Sequence, residues 1–258
     1  MLADLQARRS ASKDIVAYRE LGFYGRLGNQ LWQIAGTFGI ANRHAAEARF
    51  PDWPYLDRFC VPSRHFSTLI PRGADAWAIP RHLPEQFRYY LQDIGLWWHI
   101  QRRIRRYFAP SKASRAEMER KFADLLRIPN KTALHVRRGD YVRLYENHPP
   151  ATEDYYRMAI ERLGETSIVV FSDDMEWCRE HIGWAKPIRY IDGNEDHEDL
   201  FLMTQCQHHI IANSSFSWWG AFLSRNRSPI YPTKWYGPAH AIIDPTLMFP
   251  DGWVGIDA

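Results

Sequence analysis

The chain has little cysteine: three in 258 residues, Cys60, Cys178 and Cys206, odd in number and without the paired spacing of a zinc site. That scarcity excludes a disulfide-stapled scaffold and a structural zinc module, and it points to a reducing compartment. A surplus of either charge is missing too. With 33 basic and 30 acidic residues the net charge is +3, too balanced for nucleic acid to be the principal partner. No long apolar run is present, and the longest uncharged one, 210–223, is too short and too polar at its centre to span a membrane. The opening segment 1–13 carries Arg8 and Arg9 with no apolar core behind them, so it does not read as a signal peptide, and the expected location is the cytoplasm. Sequon matches at Asn130 and Asn213 then carry no meaning. Internal repeats, low-complexity tracts, a GxGxxG fingerprint and a Walker lysine are all lacking.

What is present is ample core material, 45% hydrophobic and 14% aromatic, enough for two modest domains or one large one. The C-terminal half alternates short β-branched or apolar runs with amphipathic stretches, the pattern of parallel strands joined by crossover helices. It predicts strands at 132–138, 167–172, 187–192, 208–213 and 228–233, with helices at 153–163, 174–183, 196–207 and 215–225. Thr152, Asp173 and Ser214 or Ser215 are N-cap residue types at three of those helix starts. The N-terminal half is less regular. It offers a strand at 14–21, the loop Gly25-Arg26-Leu27-Gly28-Asn29-Gln30 and a helix over 31–43, while 50–85 is rich in Pro and aromatics and resists assignment. A linker near 108–131 separates an N-terminal domain, 1–130, from a C-terminal Rossmann-like domain, 131–258.

The run His135-Val136-Arg137-Arg138-Gly139-Asp140-Tyr141 crowds cations and a carboxylate at the carboxyl end of a strand, where open α/β sheets bind ligands. Alternation puts His135 and Arg137 on one face and Arg138 on the other. The planar donor fork of Arg137 matches two phosphate oxygens, which makes it the candidate pyrophosphate clamp. The alternative is an ion pair with Asp140 or Asp173. In the loop 25–30, glycines permit a tight turn and free helix-start amides attract anions, while the amides of Asn29 and Gln30 suit the recognition of hydroxyls. A bare structural turn is the alternative. The segment Asn213-Ser214-Ser215-Phe216-Ser217-Trp218-Trp219-Gly220 either converges hydroxyls on a phosphate or merely caps a helix whose tryptophans fill an interface.

Phe171-Ser172-Asp173-Asp174 resembles the acidic turn that holds a divalent metal in some nucleotide-sugar enzymes, and Asp173 is equally placed to cap a helix or to meet a ribose or base. His208 and His209 beside Cys206 point in opposite directions along a strand and read as structural. Between 88 and 108, Trp97, Trp98, Ile100, Ile104 and Phe108 interleave with Arg102, Arg103, Arg105 and Arg106. This basic amphipathic stretch either makes a peripheral contact with an anionic membrane or packs on the domain, with arginine stems covering apolar surface.

Taken in order, the four motifs 25–30, 135–141, 171–174 and 213–220 resemble the bacterial and animal α-1,2-fucosyltransferases of glycosyltransferase family eleven, over about residues 15–235. The closing Tyr231-Pro232-Thr233-Lys234-Trp235 is similar as well. The resemblance implies an α/β, GT-B-like glycosyltransferase of two Rossmann-like domains, the N-terminal one on the acceptor side and the C-terminal one binding the nucleotide sugar. It implies GDP-fucose as donor, inversion at the anomeric carbon, no metal and no other cofactor. A galactose-terminated glycan is the implied acceptor, on a polysaccharide or oligosaccharide precursor assembled at the inner face of a membrane. By the same resemblance Arg137 binds the GDP diphosphate, Asp173 belongs to the nucleotide pocket, and Ser214, Ser215 and Ser217 contact phosphate. Gly28, His135 and Arg138 support the donor site. For the base that takes the acceptor proton, Asp140 lies near the motif with the right chemistry but is equally placed to orient an arginine, and Asn29, well placed in the amino-terminal loop, cannot act as a strong base; neither is favoured. The chain departs from the family pattern at Arg26, where a second glycine is common. Another GDP-hexose donor, or a catalytically silent glycan-binding module, remain the competing readings.

Overall fold

The run Lys131–Val136 is buried at every position, as a central parallel strand covered on both faces must be. The computed structural model, which describes residues 14–70, 89–185, 187–224 and 228–257, places it inside a six-stranded, all-parallel sheet. The strands are β3 (Lys131–Val136), β4 (Ser167–Ser172), β5 (Ile188–Ile191), β6 (His208–Ile210), β7 (Ile230–Pro232) and β8 (Val254–Ile256), in the spatial order β5-β4-β3-β6-β7-β8. In the N-terminal half, β1 (Ile15–Ala17) pairs in parallel with β2 (Glu47–Arg49) across the helix α1 (Leu27–Arg43).

Strand alternation sorts the core onto two faces. Leu134, Val136 and Val170 join Tyr155, Tyr156 and Ala159 of α5 (Glu153–Leu163) and Cys178 of α6 (Met175–His181). Ala133, Val169 and Phe171 point the other way, onto Leu200, Phe201 and Met203 of α7 (Asp196–Thr204) and Trp218, Trp219 and Phe222 of α8 (Ser215–Leu223). This second core runs on without a break into the N-terminal half. Trp32 of α1 lies 4.4 Å from Trp218 and 5.3 Å from Trp219, ring centre to ring centre. Buried aromatics of this size dominate packing energy, so the crossing of α1 and α8 ties the two halves together.

Several element ends differ from expectation. Strand β3 stops at Val136, where its pairing with β4 ends opposite Ser172, so Arg137 and Arg138 lie in the loop beyond it. Helix α1 begins at Leu27, which makes Gly28, Asn29 and Gln30 its first turn and not a loop before it. Asp174, not Asp173, caps α6 by accepting the Trp177 amide at 3.1 Å. Strand β6 ends at Ile210, and the short β8 was not expected. The basic stretch breaks into 3-10 turns at Ile94–Leu96 and Trp98–Ile100 before α2 (Gln101–Tyr107). Trp97, Ile100, Ile104 and Phe108 are buried in the core, so packing consumes the apolar face that a membrane would need; residue 88 lies outside the described residues. Among the described residues no helix is long and apolar enough to cross a membrane.

Candidate functional site

In a sheet ordered β5-β4-β3-β6-β7-β8, connections run one way from β3 through β4 to β5 and the other way from β6 outward, so the topology switches between β3 and β6. A crevice opens at such a point, outside the carboxyl ends of the strands. Here it holds a cavity of about 500 Å³, lined by the ends of β3, β4 and β5 and by the starts of α1, α7 and α8. A larger cavity, of about 890 Å³, lies at the opposite end of the sheet beside Lys131 and Gln207. Two of its cations serve the backbone, Lys131 Nζ donating to the Leu126 and Ile128 carbonyls and Arg105 to those of Phe222 and Ser224, and it lies away from the carboxyl ends of the strands. The switch-point cavity is therefore the candidate site.

Arg137 stands at its centre, its side chain 11% exposed, with one guanidinium nitrogen donating to Asp173 and another to Asp140. Asp173 also accepts the Arg138 amide at 2.9 Å, which draws it away from the α6 cap. Gly139 makes room for this, since a Cβ there would sit 2.4 Å from Asp173 Oδ2. Arg138, in the loop beyond the strand, turns away from Arg137. Its Nε lies 3.1 Å from Asp174 Oδ2 and its guanidinium 4.5 Å from the Trp177 ring centre, away from the cavity lining. His135 does line the cavity, buried, and its Nδ1 has no hydrogen-bond partner in the protein. Burial, reinforced by the Arg137 and Arg26 charges, lowers its pKa to about 3, so the ring stays neutral near neutral pH.

The starts of α1 and α8 meet at the cavity. Gly28 permits the approach: a Cβ would lie 2.5 Å from the Phe216 amide nitrogen. Ser214 caps α8 by accepting the Phe216 amide at 3.3 Å. Ser215 donates its hydroxyl to Asn29 Oδ1 at 2.7 Å, and Gln92 Nε2 donates to the same oxygen at 2.9 Å. Both atoms offered for chemistry at Asn29 and Asp140 are thus engaged, the first by Ser215 and Gln92, the second by Arg137. Ser217 is buried beneath the helix start, with its hydroxyl 3.4 Å from the Ala212 and Ser214 carbonyls, and it does not reach the cavity. Two helix amino ends, Arg137 and Arg26 offer an anion donors on one side of the crevice, set against the carboxylates of Asp140, Asp173, Asp196 and Asp199 in the same lining.

The β5 end of the cavity is acidic. Asp199 accepts Asn194 Nδ2 at 2.9 Å, and burial raises its carboxyl to about 6. Asp196 accepts the Tyr55 hydroxyl at 2.7 Å through Oδ2, while its buried Oδ1 has no partner. Toward β7, Tyr141 stacks on His148 at 4.9 Å, beside Leu144 and Tyr90. Arg26, Asp196, Asp199 and His148 are site residues that sequence reasoning missed. Arg26 alone left a signal, as a charge where a turn glycine is usual. His208 and His209 take separate partners, Asn130 and the Met203 carbonyl, and among the described residues no group of metal-ligating side chains converges.

Comparison with known proteins places this geometry. The sequence pattern of Glycosyl transferase family 11 matches residues 66–257. An α-1,2-colitosyltransferase of Escherichia coli is 35% identical over 190 residues, covering 65% of this chain and 63% of the relative. The O-antigen biosynthesis glycosyltransferase WbnK of Escherichia coli is 36% identical over 140 residues, covering 49% and 45%. The match thus spans less than two thirds of either bacterial relative's length. A galactoside α-(1,2)-fucosyltransferase 2 of Oryctolagus cuniculus is 26% identical, covering 91% of this chain and 75% of that one. Among solved structures, fucosyltransferase NodZ from Bradyrhizobium shares the fold with a TM-score of 0.55 at 14% identity, covering 83% of this chain and 94% of that chain. The fold is α/β and GT-B-like, and the chain belongs to glycosyl transferase family 11.

Proposed function

We propose that the cavity binds GDP-fucose and that the chain transfers fucose, with inversion, to a galactoside hydroxyl in α-1,2 linkage. The observation that carries this reading is Arg137, fixed by two carboxylates at the switch point and facing two helix starts and Arg26. Each terminal nitrogen of Arg137 gives one N–H to its carboxylate and keeps a second, so a diphosphate seated there meets charge-assisted donors held in place. Guanine offers two adjacent N–H donors, and the Asp199 carboxylate at the β5 end is a matching acceptor. The relatives named for α-1,2 transfer and for galactoside fucosylation support linkage and acceptor. The α-1,6-fucosyltransferase NodZ, which shares the fold, has been crystallised and soaked with GDP-fucose, which supports the donor.

In the transfer the acceptor oxygen forms a bond to the anomeric carbon and gives up its proton to solvent by way of the Asp140 carboxylate, which lines the cavity and is open to water, while the bond from that carbon to the diphosphate oxygen breaks. GDP leaves with the electron pair, and the charge growing on it falls to Arg137, Arg26 and the first-turn amides of α8. Asp140 and Asp173 hold the Arg137 fork in place. The reading gives the leaving group to these cations and amides and calls for no metal, so activity should survive excess chelator. The N-terminal half forms the acceptor side, and the cysteines, all unpaired, fit a reducing compartment.

Calorimetric titration of chelator-treated protein with GDP, UDP and ADP tests the nucleotide, and product analysis with GDP-fucose and lactose tests the transfer. GDP-selective binding and fucosylated lactose are expected; no binding of GDP would sink the proposal. The colitosyltransferase relative favours a second reading, a different GDP-linked deoxy sugar as donor. A panel of GDP sugars decides between them.

A further inference from the structure

Beside the cavity mouth the N-terminal half displays a group of aromatic rings that the donor site does not use. Phe23 is 80% exposed and Tyr89 37% exposed. Phe23 meets Tyr24 edge-on at 5.1 Å, Tyr24 stacks on Tyr89 at 4.8 Å, and Tyr24 lies 6.4 Å from Tyr90, which itself lines the cavity. The rings thus run continuously from open surface to the donor site.

The arrangement is built, not incidental. Buried Gln33 of α1 donates through one Nε2 to the Tyr24 carbonyl at 3.0 Å and the Tyr89 carbonyl at 3.1 Å, pinning both ring-bearing segments to a rigid helix. The Tyr18 hydroxyl donates to the Tyr89 carbonyl as well. Gly22 and Gly25, at φ +86° and +80°, supply the two left-handed turns that lift Phe23 and Tyr24 out of the chain path. What sets Phe23 apart from a singly exposed apolar residue is its continuity with three further rings that reach the cavity.

We propose that Phe23, Tyr24, Tyr89 and Tyr90 form the platform on which the acceptor oligosaccharide lies, ring face to ring face, before its terminal sugar enters the cavity. A pyranose shows one face of C–H groups and a rim of hydroxyls. The platform shows the complement, flat apolar faces edged by phenol groups that donate and accept. Leu144, 43% exposed, lines the same cavity as Tyr90 and adds apolar surface from the C-terminal half. A galactose-terminated glycan of two or more sugars is the chemistry that fits, its terminal hydroxyl at the donor and its next residue on the exposed Phe23 ring, which Tyr24 buttresses edge-on. This assignment rests on the glycosyl-transfer reading above.

Saturation-transfer NMR on the full chain with lactose, with and without GDP, tests it. Wild type should show contact through the C–H face of the sugar. In Phe23→Ala and Tyr24→Ala lactose affinity should fall about tenfold or more while GDP affinity and melting temperature hold, as for loss of an aromatic anchor. Restoration by Phe23→Trp would support stacking. Unchanged lactose binding in both alanine variants overturns the platform, as does wild type that binds GDP but no lactose. Binding to phosphatidylglycerol vesicles in place of lactose overturns it too. If lactose binds in a Phe23-dependent way but GDP does not bind, the platform stands and the GDP-fucose reading falls.

Discussion

Ser215 Oγ lies 2.7 Å from Asn29 Oδ1 across 186 residues of sequence, and the hydroxyl is the donor. The proton of Ser215 is therefore spent on the protein and is not available to a phosphate. Gln92 Nε2 donates to the same Asn29 oxygen, and its own Oε1 accepts the Tyr236 hydroxyl at 3.3 Å, so a chain of side chains sews the N-terminal half to the C-terminal half across the cavity. Ser215→Ala should cost about 1 kcal/mol of stability, the usual net worth of one such bond. GDP affinity should change less than about threefold, since this hydroxyl is not a phosphate ligand. Urea denaturation and GDP titration of the variant check both. A tenfold or greater loss of GDP affinity, on the order of 1.4 kcal/mol, would show that the hydroxyl swings to the phosphate on binding.

The two neighbouring arginines should behave oppositely. Arg137→Ala should lower kcat/KM by two to three powers of ten, about 3–4 kcal/mol of lost charge stabilisation. Arg137→Lys should recover only a small part, because a point charge cannot span two oxygens and both carboxylates. Arg138→Ala removes a partly exposed pair with Asp174 and a stack on Trp177, so about 1 kcal/mol of stability should go and GDP affinity should stay within about threefold. Equal losses of activity in the two alanine variants would contradict the split.

Gly28→Ala probes the crossing of α1 and α8. The added methyl would meet only backbone, Phe216 N at 2.5 Å and the Ser215 carbonyl carbon at 2.8 Å, so the helix starts themselves must part. A loss of about 1–3 kcal/mol is expected, the usual cost of overpacking. Because both starts face the donor cavity, GDP affinity should drop about tenfold along with it. Thermal unfolding and calorimetry on the same sample measure the two. Lost stability with intact GDP affinity would mean that the helix starts do not hold the diphosphate.

Helix α5 over 153–163 and strand β4 over 167–172 lie where their residue patterns put them, because each is set by local period and a clear stop, Gly164 in the first case. The motif residues Gly28, His135, Arg137, Asp140, Asp173, Ser214 and Ser215 were likewise legible, and all line one cavity. What was not legible depends on direction after an element ends. Asp173 and Asp174 are chemically alike. Which of them caps α6 follows from the contact of Asp173 with the Arg138 amide, a partner that comes from a different strand end. Ser217 looks like a third phosphate hydroxyl until the helix turn carries it under the cap. Strand β8 hides because it holds three residues with Gly255 at the centre. Asp199 is the plainest miss, a carboxylate in the first turn of an acidic helix, where sequence suggests solvent and where the fold supplies burial.

That burial makes the last prediction. The Asp199 carboxyl is lifted from 3.8 to about 6, mainly by desolvation, so the folded chain holds this proton more tightly than the unfolded one. Its contribution to stability is complete below the unfolded value, 3.8, and is lost as the pH rises through about 6. Asp199→Asn keeps an oxygen for Asn194 and removes the buried charge. The variant should therefore be more stable than wild type near pH 7.5, by roughly 1–3 kcal/mol, and the gap should close below about pH 5. Affinity for GDP should move the other way. An amide offers guanine one neutral oxygen and an opposing N–H donor where the carboxylate offers two charged oxygens, so the variant should bind about tenfold more weakly near pH 7.5. Wild type should lose that advantage as Asp199 takes up its proton below about 6. The ionisation of GDP itself acts on both proteins alike, so the difference between them carries the test. Denaturation and GDP titration of the pair across this range settle it: parallel curves in both measurements would remove Asp199 from the base site, while a stability gap without an affinity gap would leave a buried acid that serves neither binding nor fold.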